Sequence, residues 1–361
     1  MYAPLQNITD LTLGELQAAL VGLGEPAYRA RQLHQWIFSR HASGFDSMTT
    51  LPASLREKLS GAFFFSKPEV AVSNETKEDA CEFPTVKILL KLPDGEAVES
   101  VLIASSERMT ACVSSQAGCP LQCTFCATGK MGLHRNLSGG EITLQVQALN
   151  EIAAAKKTGA AITNVVFMGM GEPLLNTENV IEAVENLSRR NYSLNLSQRK
   201  ITISTVGIVP EIAMLAESGL KTKLAVSLHA ARQDKRLALM PVAAARYSLE
   251  ELRASLSSYT SKTGLPVTIV YMLLEGINDT AEDARLLARF AKSFLCKINL
   301  IDYNANINIK FSPVNRTARE MFAGLLMDSG LHVTVRKSYG TAINAACGQL
   351  ATSGMPNRIK L

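Results

Sequence analysis

Apolar positions in the first sixty-odd residues recur at helical spacing. Leu11, Leu13, Leu16, Ala19, Leu20 and Leu23 lie along one such run, which Gly24 and Pro26 break. A second helix is predicted over 27–40, with Leu33, Trp36 and Ile37 on one face. A third is predicted over 52–63, where Leu51, Leu55 and Leu59 follow at four-residue steps. From residue 68 the pattern changes. Apolar runs at 86–92 and 97–103 flank the turn Pro93-Asp94-Gly95-Glu96, which predicts a β-hairpin. Beyond it, short runs rich in Val, Ile and Leu alternate with helical segments. Strands are predicted near 109–115, 162–168, 200–204, 223–227, 267–273, 297–301 and 332–336. Between them lie helices opened by the capping boxes Ser138-Gly-Gly-Glu141 and Ser248-Leu-Glu-Glu251 and by Pro210, with others near 177–189, 280–294 and 317–328.

That alternation predicts an α/β fold with a parallel sheet. Six strand–helix units favour a partial (β/α)6 TIM-like barrel over a doubly wound sheet, although periodicity leaves closure open. The pattern divides the chain into a helical N-terminal part (1–67), a β-hairpin extension (68–107), the barrel (108–345), and a C-terminal loop and tail (346–361).

Composition narrows the class. The 361 residues are 47% hydrophobic and 19% charged, as in a globular chain. A net charge of +5 is compatible with a nucleic-acid partner without establishing one. Arg29, Arg31, Arg40, Arg56 and Lys58 gather near the N-terminus, so those helices read either as an RNA-binding accessory module or as a plain bundle. No apolar run reaches the roughly 18 residues of a membrane span. The start lacks a basic region followed by an apolar one. The seven cysteines are an odd, clustered set, unlike a secreted disulfide framework, and a reducing cytoplasm is expected.

The cysteines also carry the main chemical signal. Cys119, Cys123 and Cys126 form CxxxCxxC, three thiolates in eight residues. A 4Fe-4S cluster held by three cysteines keeps one iron open to a small molecule. The competing reading is a zinc site with Cys112 or His134 as fourth ligand. In βα barrels chemistry sits at the C-terminal ends of the strands. The predicted strands end there in the cysteine loop, in Gly169-Met-Gly-Glu-Pro173, in Ser204, in Ser227-Leu-His229, in Asp302-Tyr-Asn304 and in Arg336-Lys-Ser-Tyr-Gly340. Gly171 would let backbone approach a ligand, and Glu172 would offer a carboxylate to an amino group. Met168, Met170 and Met240 read as packing residues. Cys112 precedes the cysteine loop, and Cys347 follows the last strand; two thiols near one mouth suggest thiol chemistry with a transient disulfide. Cys81 and Cys296 read as structural.

Taken together, these motifs resemble the radical S-adenosylmethionine (SAM) enzymes, and specifically the RlmN/Cfr family of RNA methyltransferases. The resemblance rests on the stretches 112–119, 167–174, 227–229, 297–300 and 345–350, in that order along essentially the whole chain. It implies a 4Fe-4S cluster on Cys119, Cys123 and Cys126. It implies SAM contacts at Gly171, Glu172, Ser204, Ser227, Leu228, His229 and Asn304. It implies methylation of carbon 2 of an adenosine in the peptidyl-transferase centre of 23S rRNA, and of the adenosine next to the anticodon in tRNA. One SAM would methylate Cys347. A second would yield a 5′-deoxyadenosyl radical that takes hydrogen from the S-methyl group. Cys112 would release product by forming a disulfide with Cys347, and Glu99 matches the proposed proton acceptor. Pro173 fits the carbon-2 branch, the alternative being a Cfr-like methylation of carbon 8. Where the family often has acidic residues, this chain has Ala342 and Asn344. The resemblance further implies an electron donor such as a flavodoxin, and a monomer. A zinc-stabilised RNA-binding protein without catalysis is the remaining alternative.

Overall fold

The computed structural model describes residues 5–40, 42–77, 83–105, 108–156, 160–190, 194–305 and 311–352. Cys81 and the tail beyond 352 lie outside the described residues.

The N-terminal helices build a core of their own. A two-residue strand β1 (Gln6–Asn7) leads into α1 (Leu13–Gly22), α2 (Arg29–Phe38) and α3 (Ala53–Ala62), and β2 (Phe63–Phe64) returns to pair with β1. Thr12 and Glu15 close a capping box on α1. Leu16, Leu20, Leu33, Ile37, Leu55 and Leu59 pack together, so the four-residue spacing is the face that meets in the middle.

Three antiparallel strands follow: β3 (Glu69–Thr76), β4 (Thr85–Lys91) and β5 (Ala97–Ala104). The predicted hairpin is β4–β5, and β3 is an addition to it. The charged and polar residues Glu69, Ser73, Asn74 and Glu75 hide its strand pattern, since β3 is exposed along nearly its whole length. β4 and β5 are buried on both faces, which explains continuous apolar runs in place of alternation.

The remaining strands are β6 (Met109–Cys112), β7 (Gln116–Cys119), β8 (Gly132–Asn136), β9 (Asn164–Phe167), β10 (Ile201–Thr205), β11 (Lys223–Ser227), β12 (Val267–Leu273), β13 (Cys296–Asp302) and β14 (Val333–Arg336). Their helices are α4 (Gly139–Lys156), α5 (Thr177–Ser188), α6 (Val209–Glu217), α7 (Gln233–Leu239), α8 (Pro241–Arg246), α9 (Leu249–Thr263), α10 (Ala281–Ala291) and α11 (Arg316–Asp328). β6 and β9–β14 pair in parallel and in sequence order, and β5, β4 and β3 extend the same sheet beyond β6. The sheet is open, with β14 and β3 at its edges. It is also curled: Arg336 at the end of β14 donates to Met168 Sδ at the end of β9, 3.5 Å away. The predicted parallel strands are all present, and the architecture is that of a partial βα barrel. Sequence spacing did not reveal the β7–β8 hairpin framing the cysteine loop, or the short pair α7–α8. β7 to β8 includes the loop itself, where apolar periodicity is interrupted by cysteines and glycines.

Candidate active site

The cysteine loop hangs from β7–β8. Cys119 is the last residue of β7 and pairs with Gly132. Thr124 N–H donates to Leu239 O at 3.0 Å, which ties the loop to α7. Cys119 and Cys123 are buried among Leu121, Leu239, Met240, Met272 and Tyr303. Burial pushes the Cys119 thiol up to about 12, and burial together with Cys126 and Cys119 raises Cys123 well above its ordinary value. Without a metal they are protonated thiols; a metal replaces those protons. Among the described residues no group of three His, Cys, Asp or Glu side chains converges on a single-ion site. Three thiolates in one short loop are the donor type of an iron–sulfur cubane, which spreads them over separate irons. The donor set and its apolar shell therefore fit a cluster.

One charge lies beneath this loop. Arg236 of α7 is fully buried, donating to Val206 O at 2.6 Å and, at 3.5 Å, to Tyr247 O, while its Nε has no partner. Burial lowers its pKa to about 10 and the Cys123 thiol pulls it back up. Sequence reading did not single this residue out, because an arginine on a short helix looks like a solvated one.

A cavity opens beside the loop at the C-terminal ends of the strands. Its walls include Cys126, Gly171, Glu172, Ser204, Ser227 and His229. The turn after β9 is shaped by the segment before β7. Ser114 Oγ accepts from Met170 N–H (2.8 Å), and Gln116 Oε1 accepts from Glu172 N–H (2.8 Å). Gly171 has φ +97°, and a Cβ there would stand 2.6 Å from Gln116 Cβ, so only glycine fits. Glu172 is buried, and its carboxylate accepts from Leu174 N–H and Val206 N–H, each at 2.9 Å. Those two bonds fix its direction and leave lone pairs for a further donor. Burial raises its pKa to about 7.

His229 sits in the left-handed region (φ +56°). Its Nδ1 accepts from Met272 N–H at 3.0 Å, so the ring's proton is on Nε2. Burial, with Arg236 nearby, lowers its pKa to about 3 and keeps it neutral. The site thus offers a fixed Nε2–H donor, braced edge-on by Phe125 at 5.0 Å.

A second cavity adjoins the first. Cys112, Asn304, Lys337, Tyr339 and Cys347 line it, and Met168, Ile301, Arg336 and Cys347 belong to both. Cys112 and Cys347 are free thiols, one buried and one exposed. Burial and the Cys347 thiol push Cys112 up to about 12, and Arg336 pulls against them. Met168 packs against the main core, as expected, and also lines both cavities. The C-terminal segment holds Cys347 there by docking on the cysteine loop. Ala127 N–H donates to Gly348 O (2.8 Å), and Thr128 Oγ1 to Leu350 O (2.6 Å).

Three expected site residues do not line the first cavity. Leu228 is a core residue whose backbone groups bond Val270 and Ala230. Asn304 lines the thiol cavity and donates to Cys347 O at 3.4 Å. Glu99 lies outside both cavity walls; its carboxylate meets Lys87 Nζ at 3.1 Å and accepts from Ala351 N–H at 2.9 Å. Cys296 is half-buried and bonds Ala291 O, apart from the cavities.

Comparison with known proteins agrees with this geometry. Residues 113–290 match the radical SAM superfamily, and residues 6–64 match the ribosomal RNA large subunit methyltransferase N-terminal domain. A probable dual-specificity RNA methyltransferase RlmN from Pelodictyon phaeoclathratiforme is 64% identical over 98% of each chain. One of the same name from Chlorobium phaeovibrioides is 59% identical over all of this chain and 96% of its own. A crystal structure of a radical SAM methyltransferase from Sphaerobacter thermophilus superposes with a TM-score of 0.87 at 40% identity, covering 96% of this chain and 99% of that one. No described helix is long and apolar enough to cross a membrane. The cluster-loop spacing, the two joined cavities and these full-length likenesses agree: the chain belongs to the RlmN family of radical SAM RNA methyltransferases.

Proposed function

We propose that this enzyme methylates carbon 2 of an adenosine in 23S rRNA and of the adenosine next to the anticodon in tRNA, with Cys347 as methyl carrier and Cys112 as releasing thiol. One observation carries this reading: Cys347 is in the wall common to both cavities, facing the cluster side in one and Cys112 in the other. When bound, a 4Fe-4S cluster and SAM supply the methyl group and the one-electron chemistry that a non-nucleophilic ring carbon requires.

The chain's own residues do the rest. Cys119, Cys123 and Cys126 would hold the cluster. Glu172 would accept from the SAM amino group, while Gly171 allows close approach and Ser204, Ser227 and the Nε2–H of His229 offer polar contacts. Cys347, exposed between the cavities, can accept a methyl group from one side and present it to a nucleobase on the other. In the release step, the Cys112 thiolate attacks Cys347 Sγ. An S–S bond forms as the Sγ–carbon bond breaks, and its electron pair stays on the product carbon, which takes up a proton. Arg336 favours that thiolate. Glu99 as acceptor of the ring proton must first leave Lys87 and Ala351, the partners that hold it now. The exposed Arg31 and Arg40 of the N-terminal helices offer phosphate contacts for RNA docking.

The test is anaerobic turnover with Cys112→Ala. Protein covalently attached to RNA through Cys347 is expected, and normal turnover would refute the release role. Nucleoside mass spectrometry of RNA from the parent enzyme should show 2-methyladenosine; 8-methyladenosine would move the enzyme to the Cfr-like branch. A colourless preparation with one zinc and no iron would refute the cluster.

A further inference from the structure

A buried ion pair brackets the methyl-carrying cysteine. Lys87 on β4 and Glu99 on β5 are diagonal neighbours, since Leu89 pairs with Glu99 and Lys87 with Val101. Their side chains are 6% and 1% exposed, and Nζ lies 3.1 Å from Oε1. Each also holds the backbone of the C-terminal segment. Lys87 Nζ donates to Asn344 O at 3.3 Å, three residues before Cys347. Glu99 Oε2 accepts from Ala351 N–H at 2.9 Å, four residues after it.

We infer that Lys87 and Glu99 are positioning residues for the reaction, a latch whose two ends clamp the segment that carries Cys347. The reasoning is a count of partners. A buried ammonium and a buried carboxylate satisfy each other only in part, and their spare capacity goes to Asn344 O and Ala351 N–H. If the segment lifts, both charges lose a partner at once, and that cost resists lifting. Other ties to the segment among the described residues come from neutral groups, including Ala127 N–H, Thr128, Asn304 and Ala305 O. While closed, the latch stands outside both cavity walls and acts through the position of Cys347; a role of Glu99 as ring-proton acceptor begins only once the latch has opened. Its bearing on catalysis rests on the reading of Cys347 as methyl carrier.

Hydrogen exchange on the full-length protein tests it. Lys87→Met/Glu99→Met removes both charges together, so no charge is orphaned and the sheet is retained. Amides of 344–352 should exchange about tenfold faster or more, with 267–273 unchanged. Unchanged protection of 344–352 would overturn the latch. If 267–273 also loses protection, Glu99→Gln reads the same amides with side-chain volume kept. Acceleration confined to 344–352 then supports the latch, and none overturns it. In the cluster-loaded double variant, single-turnover methylation of Cys347 should slow about tenfold with SAM affinity unchanged. A loss of affinity at unchanged rate would place the pair's role at the cofactor and overturn the assignment. Should the parent enzyme never carry a methyl group on Cys347, the carrier reading fails while the exchange result still decides the latch.

Discussion

The two joined cavities are built in different ways. The strand-end cavity is walled by the ends of consecutive parallel strands, and its polar groups are locked by main-chain bonds: Glu172 by two N–H groups, His229 by Met272 N–H. The thiol cavity takes one wall from β6 and another from a C-terminal segment that belongs to no sheet and is tied down by a handful of side chains. The difference fits the chemistry. The step that makes a radical needs fixed geometry and excluded water. The step that hands over a carbon needs a carrier that can present its sulfur to two sites in turn.

The sharpest way to break the comparison is at the cluster loop. Changing Cys123 to Ala removes one of the loop's three cysteine sulfurs and should leave protein without bound iron or the brown colour of a cluster. Iron retained at the parent level would mean that this loop is not the permanent wall. Cys347→Ala, by contrast, should leave iron content unchanged while abolishing methyl transfer, because on the proposed reading that thiol carries the methyl group.

Arg236 comes next. Arg236→Met leaves Val206 O and Tyr247 O without a donor beneath the cluster loop. A loss of about 1–3 kcal/mol of folding stability is expected, read by urea denaturation. An unchanged midpoint would show that the fixed cavity does not depend on this buried fork.

How much of this was legible in the sequence differs between the two cavities. The fixed wall was readable because βα rhythm and the strand-end rule act locally: Cys119, Glu172, Ser204 and His229 each follow a recognisable strand. The thiol wall was only half readable. Cys112 and Cys347 stood out as thiols, but nothing near Cys347 in sequence says what holds it. The partners Lys87 and Glu99 are about 250 residues away, as the separations of 257 and 252 show. A signal existed, since Lys87 interrupts the run Val86-Lys-Ile-Leu-Leu90 and Glu99 the run 97–103. A charge inside a fully buried strand needs a partner, and two such charges on paired strands predict each other. Asn304 lines the thiol cavity and Leu228 lies in the core for a related reason: strand position fixes which rim a residue reaches, not which side of the rim its side chain enters.

Glu172 gives a pH test of the fixed wall. Burial raises its carboxyl from 4.5 to about 7, so below about pH 7 the folded, ligand-free enzyme favours the acid form. Its contribution to folding stability is therefore full below the ordinary value and is lost as pH rises through about 7. Ligand binding runs the other way, because amino N–H donors select the carboxylate. SAM affinity should rise by up to about tenfold per pH unit on approaching neutrality, then level off. Calorimetry of the parent against Glu172→Gln isolates this carboxylate's share, and identical pH profiles for the two would remove it from the amino contact.

The smallest effect is expected where the movable wall has its weakest tie. Asn304 Nδ2 reaches Cys347 O only at 3.4 Å, near the limit of a hydrogen bond, and it is one neutral contact among several. A neutral hydrogen bond contributes about 1 kcal/mol at good geometry, and less here. Asn304→Ala should therefore speed exchange of 344–352 by no more than about threefold and leave the pH profile of SAM binding untouched. An effect as large as that of removing Lys87 and Glu99 together would mean that Cys347 is held from the β13 side, and that the segment is clamped at its middle and not at its two ends.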